Sequence, residues 1–108
     1  MPSSISESDW KLFRNLHAVA LERLCQRVIE EIQATAASSQ SYHERYLAIY
    51  ALVKERDKQI AEAFNDFRRS TALMKLALMR AQDLVTESEL AVFSIETQQF
   101  LNIFRHGQ

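Results

Sequence analysis

The sequence predicts an all-α protein made of three long amphipathic helices in an up-down-up arrangement. The 108 residues include one Gly and one Pro, too few for the frequent turns of a β-sheet protein. Apolar residues make up 47% of the chain, which argues against intrinsic disorder. They recur at spacings of three and four, as on one face of a helix. We therefore treat residues 1–108 as one helical domain.

The first helix is predicted over residues 7–36. Ser6 can cap its start by accepting a hydrogen bond from the backbone of Asp9. The apolar stripe that follows is Trp10, Phe13, Leu16, Ala20, Leu24, Val28 and Ile32. This pattern fades in the Ala- and Ser-rich stretch 34–40, which we interpret as the end of the helix and a loop.

The second helix is predicted over residues 42–84 and carries the strongest pattern in the chain. Ser41 and Glu44 form a capping box at its start. Alternating steps of four and three residues then give a heptad stripe: Tyr46, Tyr50, Val53, Asp57, Ile60, Phe64, Phe67, Thr71, Met74, Leu78, Ala81 and Val85. An unbroken helix of this extent would be roughly 60 Å long.

The third helix is predicted over residues 87–105. Thr86 and Glu89 form its capping box, and Gly107 is a suitable terminator. Its apolar stripe is Leu90, Phe93, Thr97, Phe100 and Phe104.

These lengths predict an oligomeric bundle. The first and third helices together barely exceed the second, so most cross-sections would contain two helices, too few to enclose wide apolar stripes. The second helix is also apolar on two sides near residue 75. We predict that a second chain, most simply in a two-fold dimer, covers this segment through Ala72, Leu73, Met74, Leu76 and Met79. The alternative is a compact three-helix bundle with a kinked or shorter second helix, in which the same patch is an exposed docking surface.

Asp57 interrupts the heptad stripe of the second helix. If it is buried, it needs a partner such as Arg23 or Arg27, and it would then fix register or oligomer state. If it is exposed, it belongs to the charged run 54–58. Both interpretations stay open from the sequence.

No residue pattern predicts catalysis, a cofactor or a metal. A di-metal site in a bundle requires Glu-x-x-His pairs, and the sequence contains none. Cys25 lies on the apolar stripe of the first helix, two turns from His17, and is interpreted as a small core residue. No Gly-rich phosphate loop is possible with one glycine.

These observations favour a helical protein–protein interaction module, a homodimeric adaptor or small regulatory subunit without catalysis. One alternative is a ligand-binding or catalytic bundle whose cavity is lined by Tyr46, Tyr50, Phe64, Phe67, Met74 and Phe93. A weaker one is a nucleic-acid-binding regulator that uses Arg68, Lys75 and Arg80, which the net charge of −1 disfavours. A signal peptide and an apolar membrane span are both missing from the sequence, so we expect a cytoplasmic protein that does not enter a membrane.

Overall fold

The computed structural model describes residues 5–106, and the side chains of 105 and 106 are left undescribed. The predicted terminator Gly107 lies outside these residues. The described chain is helical without strands, as predicted, but it is divided into more helices than expected. These are α1 (Glu7–Ala36), α2 (Tyr42–Phe64), a 3-10 turn (Arg69–Thr71), α3 (Ala72–Ala81), α4 (Glu87–Leu90) and α5 (Ile95–His106).

The predicted helix starts are confirmed. Ser6 caps α1 by accepting from the backbone N–H of Asp9. Complete capping boxes begin α2, with Ser41 and Glu44, and α4, with Thr86 and Glu89. Local hydrogen bonding between neighbouring residues fixes these starts, which is why the sequence reveals them.

An antiparallel hairpin of α1 and α2 forms the long axis of the molecule, which is 53 Å long and 23 Å across. Arg45 of α2 donates to the carbonyl of Ala36, and His17 of α1 hydrogen-bonds to the carbonyl of Phe64. These two contacts set the register of the hairpin from its turn to the end of α2.

The very long second helix is wrong, because the chain leaves the helix after Phe64. Asp66 adopts a positive φ of 61°, and its carboxylate pairs with Arg68. The hydroxyl of Thr71 donates to the carbonyl of Asp66 and closes the turn. A straight helix would have carried the later apolar residues past the start of α1. The break instead turns the chain back, so that α3 packs against α1.

This break also corrects the predicted dimer patch on residues 72–79. Ala72, Leu76 and Met79 have no exposed surface, and Leu73 is buried, so the patch is part of the core of a single chain. Met74 is 45% exposed. No second chain is needed to cover the four buried residues, because α1 and α5 of the same chain pack on α3.

The predicted third helix is also divided, and the three-helix, up-down-up arrangement is therefore wrong. The chain leaves helical geometry between α4 and α5, and Ser94 caps α5 by accepting from the backbone N–H of Thr97 at 3.3 Å. The carboxylate of Asp9 on α1 accepts from the hydroxyls of Ser94 and Thr97, both at 2.6 Å. This buried contact fixes the start of α5 against α1.

Candidate functional site

An exposed row of large side chains runs along α2. We call Tyr42, Tyr46, Tyr50 and Val53 the outer stripe. Their exposed fractions are 85%, 64%, 61% and 45%. Nothing in α2 before Ala63 is fully buried. The part of the hairpin nearest its turn is therefore a two-helix structure with an apolar surface open to solvent.

Tyr46, Tyr50 and Val53 of the outer stripe are the first part of the heptad pattern found in the sequence, but the stripe does not face α1. The half-buried residues Ile49, Leu52 and Ile60 form a separate row on α2. Arg56 continues this row and pairs with Glu31 of α1, with nitrogen–oxygen distances of 3.0 and 2.9 Å. The helix thus carries two adjacent apolar rows, and only one of them packs within the chain.

On α1, the two sides of the buried row have different neighbours. Val28 is buried, and Arg27 before it donates to the carbonyls of Gln82 and Asp83. Ile29, the next residue, points about 100° the other way and is 52% exposed. Segment 82–83 therefore lies on the Arg27 side of α1, and the Ile29 side is open. Cys25, one turn before Ile29, is half-buried on that open side.

The open sides of the two helices form one continuous surface. In two antiparallel right-handed helices, the residues that directly follow the contacting residues point to the same side of the pair. Ile29 follows Val28 on α1, and Val53 follows Leu52 on α2. We call this surface the outer face: the outer stripe together with Cys25 and Ile29.

The two edges of the outer face carry opposite charges. Glu22 and Glu30 are exposed along the α1 edge. Lys54 and Lys58 are exposed along the α2 edge. Their contacts within the described part of the chain are local: Gln26 donates to Glu30 at 3.2 Å, and Lys58 pairs with Glu55 at 3.8 Å. The apolar surface is thus bordered by an acidic edge and a basic edge.

The opposite side of α1 is covered by strong polar contacts. Arg23 forms a two-pronged ion pair with Glu89, with both nitrogen–oxygen distances at 2.7 Å, and also donates to the carbonyl of Leu84. The Arg23 guanidinium holds the pKa of Glu89 at about 2, well below the ordinary glutamate value. These contacts fasten segment 82–89 to α1 and give the hairpin a covered side.

The residues expected to line a ligand cavity are not brought together. Tyr46 and Tyr50 are exposed on the outer face, whereas Phe64 and Phe93 are buried in the core. Phe67 is 43% exposed. Its ring lies 4.3 Å from that of His17 and 5.2 Å from that of Trp10, between ring centroids. Tyr46, Tyr50 and Phe64 all belong to α2, but the two tyrosines lie toward the hairpin turn and Phe64 lies at the other end of the helix. Phe67 follows the break, and its ring packs with that of Phe64 around His17.

His17 lies inside this aromatic cluster. Its ring packs edge-on against Phe64, with 5.0 Å between centroids. Burial lowers the pKa of His17, while its hydrogen bond to the Phe64 carbonyl acts in the opposite direction. The nearby charge of Lys75 lowers it further.

The basic residues of the predicted nucleic-acid surface contact their own chain. Arg68 pairs with Asp66, Lys75 donates to the carbonyl of Glu62, and Arg80 donates to the carbonyl of Leu101. Asp57 is exposed at the end of the outer stripe nearest the core. Arg23 and Arg27, its suggested partners, bind segment 82–89 instead.

Within residues 5–104, the His, Cys, Asp and Glu side chains form no group of three that could hold a metal ion. None of the helices that the structure describes is long and apolar enough to span a membrane. Comparisons with protein-family models, with curated proteins and with solved structures give no match to this chain.

Proposed function

We propose that this protein is a helical protein–protein interaction module that binds its partner through the outer face of the α1–α2 hairpin, as a small adaptor or regulatory subunit without catalysis. The observation that carries the proposal is the outer stripe, a row of three tyrosines and a valine that the chain leaves exposed. A cytoplasmic location remains a prediction from the sequence.

The composition of the outer face suits a protein partner. Tyrosine offers a large apolar ring with a polar tip and is enriched in interfaces and their energetic hot spots. Leu47, which is 50% exposed, and Ile29 extend the apolar surface. A contiguous exposed apolar patch with a polar border commonly marks a protein-interaction site.

Site-specific photo-crosslinking in the cells that make the protein tests this proposal. A photoreactive p-benzoylphenylalanine is placed at Tyr46, on the outer face, or at Glu55 as the matched control. Glu55 is also exposed on α2, but helical geometry points it about 180° away from Tyr46. Position 46 should yield covalent adducts with protein, and position 55 should yield few.

The outcome at position 46 decides the proposal. Protein adducts that form there and not at position 55 support it, whatever the partner. No adduct from position 46, or equal adducts from both positions, would refute a docking role for the outer face.

A further inference from the structure

We infer that the occupant of the outer face is a second copy of this chain, related by a two-fold axis parallel to the hairpin, so that α1 of each copy lies against α2 of the other. This inference rests on the proposed function and names its partner. It moves the dimer contact expected from the sequence away from α3, which is buried, to the hairpin.

The arrangement of the two copies follows from the side of each hairpin that the rest of its chain leaves uncovered. The covered side of the hairpin carries segment 82–89, held by Arg23 and Arg27. Two copies can therefore approach through their outer faces with the rest of each chain outside the contact. The result is a four-helix arrangement at the hairpins, in which apolar residues of both outer stripes are enclosed.

The charged edges select this orientation. A two-fold axis parallel to the hairpin leaves the direction of each helix unchanged and exchanges the positions of the two edges. The acidic α1 edge of one copy therefore meets the basic α2 edge of the other. The hairpin register, set by His17 with Phe64 and Ala36 with Arg45, places Glu22 level with the partner's Lys58. Glu30 then lies within a helical turn of the partner's Lys54.

The other face-to-face arrangement brings like charges together. A two-fold axis across the hairpin would place α1 on α1, with Glu22 and Glu30 of both copies on one edge. Lys54 and Lys58 of both copies would share the opposite edge. Like charges at an interface disfavour such a pairing. The net charge of −1 adds little long-range repulsion between two copies in the favoured orientation.

Asp57 limits the contact toward the core of each chain. An unpaired carboxylate is costly to bury, and Asp57 stands where the outer stripe ends. The enclosed part of the interface is therefore the half of the hairpin nearest the turn, with Asp57 at its wet margin.

A charge-reversal rescue tests the orientation. The variant Lys54→Glu, Lys58→Glu makes both edges acidic, so the dimer should weaken by about tenfold or more, because several exposed ion pairs become repulsive. Adding Glu22→Lys and Glu30→Lys gives the two edges opposite charges again, so this quadruple variant should dimerise. The dimer dissociation constants are measured by sedimentation equilibrium. Because all four residues are exposed, helicity by circular dichroism should stay unchanged.

The outcomes separate this inference from the proposed function. Loss of the dimer in the double variant and its recovery in the quadruple variant support the pairing of α1 with α2 of the other copy. If the double variant dimerises like the unmodified protein, or the quadruple variant does not dimerise again, the pairing is wrong. If the unmodified protein is monomeric while position 46 still crosslinks to a different protein, the inference fails and the proposed function stands.

Discussion

Asp9 shows how a residue can have a role that its local sequence does not reveal. In the sequence it is part of the first turn of α1, next to the cap residue Ser6. In the fold it is 2% exposed, and its carboxylate binds the start of α5. A carboxylate beside a helix N-terminus is favourable for both its hydrogen bonds and its charge. The partners are more than eighty positions away, so spacing rules could not find them.

Asp9→Ala should lower the free energy of unfolding by about 3 kcal/mol, since it leaves the buried hydroxyl of Thr97 and the Ser94 donors without their charged acceptor. Urea unfolding measures the change. Asp9→Asn, which keeps one carbonyl oxygen, should lose less. Glu7→Ala is the matched control, because the pair of Glu7 with Arg69 is exposed and such pairs contribute roughly 1 kcal/mol or less. Equal losses for Asp9→Ala and Glu7→Ala would contradict this role.

At the scale of the helices, local caps were predictable and internal breaks were not. The capping boxes at Ser41 and Thr86 depend on residues three apart, and the structure has both. The break after Phe64 lacks Gly and Pro, and its only local signal is Asn65-Asp66, two residues that tolerate turn conformations. What decides the break is tertiary: Phe64 and Phe67 pack around His17, and the chain turns to bury α3. Periodicity continues across such a break, so it was mistaken for one helix.

The outer face was not predicted from the sequence as a binding surface. Tyr46 and Tyr50 were identified as part of an apolar row, and a second chain was expected to cover surplus apolar surface. The row that packs on α1 is offset by one residue, at Ile49 and Leu52, and either row satisfies a helical period. Choosing between them requires the contact with α1, which pattern analysis of one helix does not contain.

His17 couples the break after α2 to pH. Because burial lowers its pKa, the folded chain binds the proton less readily than the unfolded chain does. Its contribution to the free energy of unfolding is therefore complete above the ordinary pKa of 6.5 and is lost as the pH falls through the lowered pKa of the folded chain.

Urea unfolding of the wild type and of His17→Gln, between about pH 7.5 and about pH 5, measures this dependence. Glutamine keeps a polar group for the Phe64 carbonyl but does not titrate. The wild type should lose more stability over the interval than the variant does, and the other histidines are common to both proteins. A pH dependence identical in the two proteins would show that His17 does not couple folding to pH.

At the scale of the whole molecule, the structure divides into a well-covered half and a two-helix half. One hydrophobic core surrounds the first part of α1, and it is completed by the end of α2 together with α3 and α5. Beyond Val28, the hairpin continues with α1 and α2 alone, and its outer face stays apolar. The shortage of helices inferred from the sequence thus applies to this half and not to α3. The proposed dimer would give the second half a core of its own.

Self-association through the outer face is tested by sedimentation equilibrium of the unmodified protein at micromolar concentrations, beside Tyr50→Lys and the control Glu55→Lys. We expect a concentration-dependent species of twice the 12.5 kDa chain mass. Tyr50→Lys should weaken this dimer about thirtyfold or more, as for loss of an interface hot spot. Glu55→Lys, on the opposite side of α2, should not weaken it. A single-chain mass at every concentration, or equal behaviour of the two lysine variants, would contradict self-association through the outer face.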